Sequence, residues 1–272
     1  MKQPATTPVF SPPRPRRIGA VNWHGLSALY RREVVRFLKV AAQTVGAPVV
    51  MAVLLFAVFG FALGDARIVG DIEFVAFLAP GLMMMAIVQN AFANTSSSIL
   101  VAKMQGNIVD MLMPPLSAAE LTVGFAAGGV TRGLVVGLAT GLALWCGVRL
   151  VIHDAGAVLA FAVLASAMLA LVGLIAGVAA DRFEHVSAIG NFLVMPLSFL
   201  SGTFYSLEAL PAFWQAVAHF NPFFYAIDGF RYGFIRHADA DPRLGAAVLA
   251  AIDLALLALA WRIVARGHRL KA

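Results

Sequence analysis

Two ionisable residues lie inside otherwise apolar runs: Asp253 in AAIDLALLALAW and Arg132 in GGVTRGLVVGL. An Asp or Arg at the centre of a membrane helix costs about 2.5–3.5 kcal/mol on insertion scales, so each must face protein, water or a ligand. Asp253 therefore reads as either a structural polar lock or a substrate or proton site, with Arg132 as a candidate partner. If residues 130–152 alone form that span, Arg132 is interfacial and needs none. The remaining polar groups assemble no enzyme. Asp181, Arg182, Glu184 and His185 fall in one short loop and His153 with Asp154 in another, too few ligands at workable spacing for a metal. Ser96, Ser97 and Ser98 have no nearby base to make a nucleophile, and their hydroxyls suit hydrogen bonding at a helix end. No G-x-x-x-x-G-K-S/T loop is present, so nothing cradles nucleotide phosphates and no cofactor is expected on this chain.

The elements that must position these residues follow from composition. Of 272 residues, 61% are hydrophobic and 12% charged, whereas a soluble domain carries about half apolar and a quarter charged residues. The expected class is an all-α integral membrane protein. Six runs are near the ~20 residues that cross ~30 Å of hydrocarbon: about 44–63, 74–95, 121–148, 157–180, 187–205 and 244–264. Glycines at 124, 128, 129, 133, 137 and 141 would let helices approach closely in lipid. Residues 1–22, rich in Pro and Arg, read as a disordered tail, and 267–272 as a second short tail. Between the first tail and the spans, residues 23–41 place Trp23, Leu26, Tyr30, Val34, Phe37 and Ala41 on one helical face and Arg32, Arg36 and Lys39 opposite. That is a basic amphipathic helix for the membrane interface. The first apolar run begins too late and runs too long for a cleavable signal peptide. A net charge of +6 could suit nucleic acid, but the basic residues flank the first and last spans, so a lipid surface is the simpler partner and no nucleic acid is expected. The same bias puts both termini in the cytoplasm. Cys146 reads as a small hydrophobe within the third span.

Two segments outside the spans carry most of the remaining information. Ser98 to Ala119 holds Gln105-Gly106-Asn107-Ile108-Val109-Asp110 and then Met111-Leu112-Met113-Pro114-Pro115, a short helix with apolar knobs and a carboxylate that ends at two prolines. Such a helix suits docking on an intracellular protein. Pro196 to Arg236 reads as a span that stops at the outer surface and does not immediately return. Ser206-Leu207-Glu208 with Pro211 signals a helix too short to cross, Asn221-Pro222 a turn, and Phe223, Phe224, Tyr225, Phe230, Tyr232 and Phe234 alternate with Asp228, Arg231 and Arg236. Aromatic rings among a few charges belong at headgroup depth.

The order Ser201-Gly202, Tyr205-Ser206, Leu210-Pro211, Trp214, Asn221-Pro222, Tyr225 and Arg231 resembles the C-terminal part of ABC-2 type transporter permeases, and Phe77-Leu78-Ala79-Pro80-Gly81-Leu82 and the Gly106–Pro115 loop extend the likeness upstream. The resemblance covers roughly Arg32 to Arg266. It implies half of the pathway of an ATP-driven exporter in a bacterial inner membrane, working with a second permease copy and a separate ATPase, expected in two copies, that binds ATP and Mg. It also implies that residues 23–41 pack beside the ATPase, and that Asn107, Ile108, Asp110, Leu112 and Pro114 form the ATPase-coupling loop. Glu208, Asn221, Tyr225 and Arg231 are expected to line an external gate. The alternatives are a secondary transporter or channel without ATPase, for which no internal repeat is evident, and an integral membrane enzyme, for which the spans are too apolar.

Overall fold

The computed structural model describes residues 19–63, 68, 69, 72–207 and 210–267. Of the expected tails at 1–22 and 267–272, residues 1–18 and 268–272 lie outside them, as do part of the first loop and Glu208. The chain is built from helices, plus one antiparallel two-residue pairing of β1 (Ile68–Val69) with β2 (Ile72–Glu73). Six helices are long and apolar enough to cross a membrane. They are α2 (Ala47–Leu63, with a π-helical turn over Ala42–Gly46 before it), α3 (Phe74–Met104), α5 (Ala118–Trp145), α6 (Ala155–Ala179), the run α7 (Phe183–Ile189) to α8 (Met195–Leu200) through a π-helical turn at Gly190–Val194, and α11 (Pro242–Arg266). Four shorter helices complete the described residues: α1 (Trp23–Leu38), α4 (Ile108–Leu112), α9 (Ala212–His219) and α10 (Pro222–Ile235).

The bundle is organised around α3. Its most apolar stretch is 83% buried, against 6% for Ala42–Ala62 and 11% for Phe183–Leu200. Helices α5 and α6 pack on α3 through small residues. Gly129, Gly133, Gly137 and Gly141 recur one turn apart on α5 and meet Thr95, Ala91, Ile87 and Met83 of α3. On α6, a Cβ at Gly173 would overlap the Thr95 hydroxyl and the Phe92 carbonyl. That close approach lets Thr95 Oγ1 donate to the Ala170 carbonyl at 2.7 Å. At one end of the bundle, hereafter the α1 end, Lys103 Nζ donates to the carbonyls of Val178 and Ala180 at 2.8 and 2.7 Å. It thereby satisfies the open C-terminal carbonyls of α6 from the last turn of α3.

Three expectations shift. The third span runs Ala118–Trp145 rather than 121–148, so Arg132 sits near the middle of its helix and the interfacial alternative fails. Cys146 is the residue that ends α5, and it is exposed. The fifth helix stops at Leu200 rather than Tyr205, because Ser201 leaves the helical region and Gly202 takes φ +79°, a conformation suited to glycine.

Gly173→Ala is expected to lower unfolding stability by about 1–3 kcal/mol, the usual cost of overpacking. Gly19→Ala, which meets nothing within 4 Å, is expected to change nothing. Thermal unfolding in detergent compares the two.

Candidate functional site

At the α1 end the chain ties three elements into one unit. Ser117 caps α5 by accepting from Glu120 N at 3.2 Å, and Glu120 Oε2 accepts from Ser117 N at 2.6 Å, the reciprocal pair of a capping box. The other Glu120 oxygen accepts from the backbone N–H of Asn22, the residue before α1. Asn22 in turn caps α1 through Gly25 N at 3.0 Å and donates from Nδ2 to the Pro115 carbonyl at 3.1 Å. The start of α1, the end of the α4 loop and the start of α5 are thus fastened by two polar side chains. Neither Asn22 nor Glu120 stood out in the sequence, although Ser-x-x-Glu before an apolar run is a readable capping signal.

Within that loop the expected contact residues separate. Asn107, Asp110 and Pro114 are exposed, as are Val109 and Met113 at 57% and 74%. Ile108, in contrast, is 4% exposed and packs with Leu29, Ile99 and Phe125. It anchors the loop, and Val109 and Met113 present the apolar knobs. Leu112 lies within α4, and its side chain is outside the described set.

Helix α1 also differs from expectation. Its packed stripe is Leu29, Glu33 and Phe37, rotated roughly 60° about the helix axis from the aromatic face read in the sequence. Trp23 is 70% exposed. Arg36, expected among headgroups, turns inward. Glu33 is fully buried and accepts from Ser98 Oγ of α3 at 2.7 Å and from Arg36 Nη2 at 3.1 Å. Arg36 also reaches the Asn94 carbonyl at 2.7 Å and Ser97 Oγ at 3.3 Å. Gly128 of α5 makes room, because a Cβ there would stand 2.6 Å from Glu33 Cβ. One arginine of the basic face is therefore used to lock α1 to α3, while Arg32 and Lys39 stay exposed.

The two intramembrane charges do not pair with each other. Arg132 Nη2 donates to Asn90 Oδ1 of α3 at 2.9 Å. Both carboxylate oxygens of Asp253 are buried and have no hydrogen-bond partner among the described residues. Asp253 instead lines a groove between α5, α6 and α11.

At the opposite end of the bundle α10 lies across α3 and α6, and the expected gate residues are brought together unevenly. Arg231 is 2% exposed. Its guanidinium stacks 3.7 Å over the Phe77 ring, and it donates to the Phe77 carbonyl at 3.3 Å and the Gly202 carbonyl at 2.6 Å. Pro80 has no N–H to give the ladder of α3, and the guanidinium reaches the backbone beside that break. Asn221 caps α10 through Phe223 N at 3.1 Å and donates from Nδ2 to Ser201 Oγ at 2.7 Å and the Leu197 carbonyl at 3.0 Å. Tyr225 packs at an edge against Phe224 and beside Gly245 of α11, away from those bonds. A further residue, Asp228, is 3% exposed and accepts from the N–H groups of Asp239 and Ala240 at 2.9 and 3.0 Å. Asp239 then accepts from Leu207 N at 2.9 Å, closing a clasp across the segment between α8 and α11. No cluster of His, Cys, Asp and Glu that could hold a metal occurs among the described residues.

Arg231→Met removes the donors to two buried carbonyls, and the expected effect is a loss of about 2–4 kcal/mol. Arg231→Lys is expected to recover less than half of it, because an ammonium lacks the planar fork. Limited proteolysis between residues 200 and 212 reads the loosening.

The family model for ABC-2 type transporter proteins matches residues 24–235. Over 254 residues the chain is 37% identical to the inner membrane transport permease YadH of Escherichia coli strain K12, covering 92% of this chain and 98% of that protein. It is 26% identical over 217 residues to nodulation protein J of Rhizobium leguminosarum bv. viciae, covering 77% and 81%.

Proposed function

The chain belongs to the ABC-2 type transporter family as a multi-pass membrane transport subunit, and we propose that it forms half of an export pathway driven by a separate ATPase. The observation that carries this reading is the polar knot at the α1 end. Asn22 and Glu120 make α1, the α4 loop and the start of α5 one body, and that body displays Asn107, Val109, Asp110, Met113 and Pro114 together. A short exposed helix tied to three elements suits receiving a push from a soluble partner. The knot is then cytoplasmic, both termini lie on that side, and the membrane is the inner membrane, as the name of the Escherichia coli relative has it. ATP and Mg belong to the partner, expected in two copies.

Force on α4 has two routes into the spans. One runs through Ile108 and Met111 into the core beneath them, and the other through α1 and its Glu33–Arg36 lock to α3. The bundle end carrying α9 and α10 then faces outward, where Phe213, Trp214 and Phe220 of the α9 segment are exposed at 70%, 46% and 89% and suit headgroup depth. Asn221 and Arg231 hold this cap to α8 and α3, so it works as a hinged plug over the exit more readily than as a recognition site. Tyr225 belongs to the same cap by its place in α10, and Glu208 is assigned to the gate from its place in the sequence alone. A second copy of the chain closes the pathway, and α2 and the α7–α8 run, with the least buried faces, are the surfaces left for it.

Val109→Asp combined with Met113→Asp is expected to cut co-purification of the ATPase at least ten-fold, with the unfolding temperature of the permease unchanged. An ATPase that stays bound to the double variant, or a wild-type chain that transports after ATP depletion, contradicts the reading.

A further inference from the structure

Asp253 is the one intramembrane charge named above that the fold leaves unused. Both of its oxygens are buried and unpartnered among the described residues. It opens onto a groove of about 730 Å³ between α1, α5, α6 and α11, within the range of a site for a drug-sized ligand. The floor is made of small side chains, Ala127, Ala167 and Ala250 among them. Two other polar groups reach it, Tyr30 and Thr131, and their hydroxyls are 2.9 Å apart and bonded to each other. Among these lining residues Asp253 is thus the one whose polar side-chain atoms have no bond, just beneath apolar walls. A second cavity of about 250 Å³ shares Val123, Leu254 and Leu257 with it and continues past Thr122 and Trp261 toward the α1 end. Together the two follow α11 from Ala250 to Trp261, with Asp253 one turn from Ala250.

We propose that this groove binds a lipophilic amine, an amphiphile with one protonated nitrogen and a single apolar tail, taken up from the hydrocarbon. Charge complementarity selects the occupant. A plain acyl chain fills the walls but leaves the carboxyl without a partner in a medium where unsatisfied polar groups cost several kcal/mol. An ammonium supplies the buried carboxyl with the ionic hydrogen-bond partner that it lacks among the described residues. Phospholipid headgroups are excluded by depth. Asp253 lies near the middle of α11, more than ~15 Å of helix rise from either end, whereas a lipophilic amine crosses that region. The groove is lined by α5, α6 and α11, so the site is separate from the sparsely buried faces of α2 and α7–α8 assigned above to a second copy. The binding does not rest on the ATPase reading, and it is measured without an ATPase.

The test uses the full chain in lipid nanodiscs and radiolabelled dodecylamine. Saturable binding near one per chain is expected, weakened at least ten-fold by Asp253→Asn, which keeps the shape of the side chain, and by Ala167→Trp, which fills the floor. Asp253→Glu is expected to retain binding, and excess dodecanol is expected not to compete. Equal binding by Asp253→Asn overturns the proposal. So does effective competition by dodecanol, which would make the groove a general acyl-chain seat, and so does an absence of saturable binding in wild type, as a second copy covering the groove would produce.

Discussion

A carboxylate that no water can reach sets the terms for the α1 end of this molecule. Glu33 is fully buried against α3 and α5, and an unpaired charge in that position would cost several kcal/mol. The surrounding residues are arranged to prevent it. Ser98 and Arg36 donate to its two oxygens, Arg36 is held in turn by Asn94 and Ser97, and Gly128 leaves the space for the Glu33 stem. These bonds fix which face of α1 packs, and with it the angle at which the knot of Asn22, Glu120 and Pro115 meets the spans. Replacing both partners with apolar groups could leave stability intact, so the lock is better understood as a device for holding one orientation.

The same use of charge recurs along α3. Lys103 closes the open end of α6, Arg132 reaches Asn90, and Arg231 fills the space beside Pro80 at the other end. Most of the intramembrane polar chemistry thus ties neighbouring helices to α3. Rigid helices joined at their ends and along one central helix move as levers, which suits the role proposed above, a subunit driven by a separate ATPase. Asp253 departs from the pattern, having a cavity where the others have a partner.

How much of this was legible in the sequence depends on range. The six spans, the α4 loop and the short helices before the last span were readable, because length, apolar content and turn residues act locally. The likeness carried by the residues from Ser201 to Arg231 also pointed to the family that the comparisons show. What escaped was set by contacts between distant residues. The face of α1 was misread because a helical wheel puts a carboxylate outside, while Ser98 and Arg36 make Glu33 an interior residue. Ile108 looked like a docking knob, but it is buried in a cluster that includes Leu29 and Phe125. The pairing entertained for Asp253 and Arg132 fails because the two side chains open toward different neighbours, Arg132 toward α3 and Asp253 toward the groove.

If the Glu33 lock transmits force from the loop unit to the spans, weakening it should separate ATP consumption from transport without dismantling the complex. The direct measurement is ATP hydrolysis and efflux by the reconstituted complex carrying Glu33→Gln, which keeps the shape and removes the charge paired with Arg36. The account predicts a co-purified ATPase with hydrolysis within about two-fold of wild type and efflux reduced at least ten-fold. Efflux per ATP equal to wild type, with α1 still packed on α3, would contradict it.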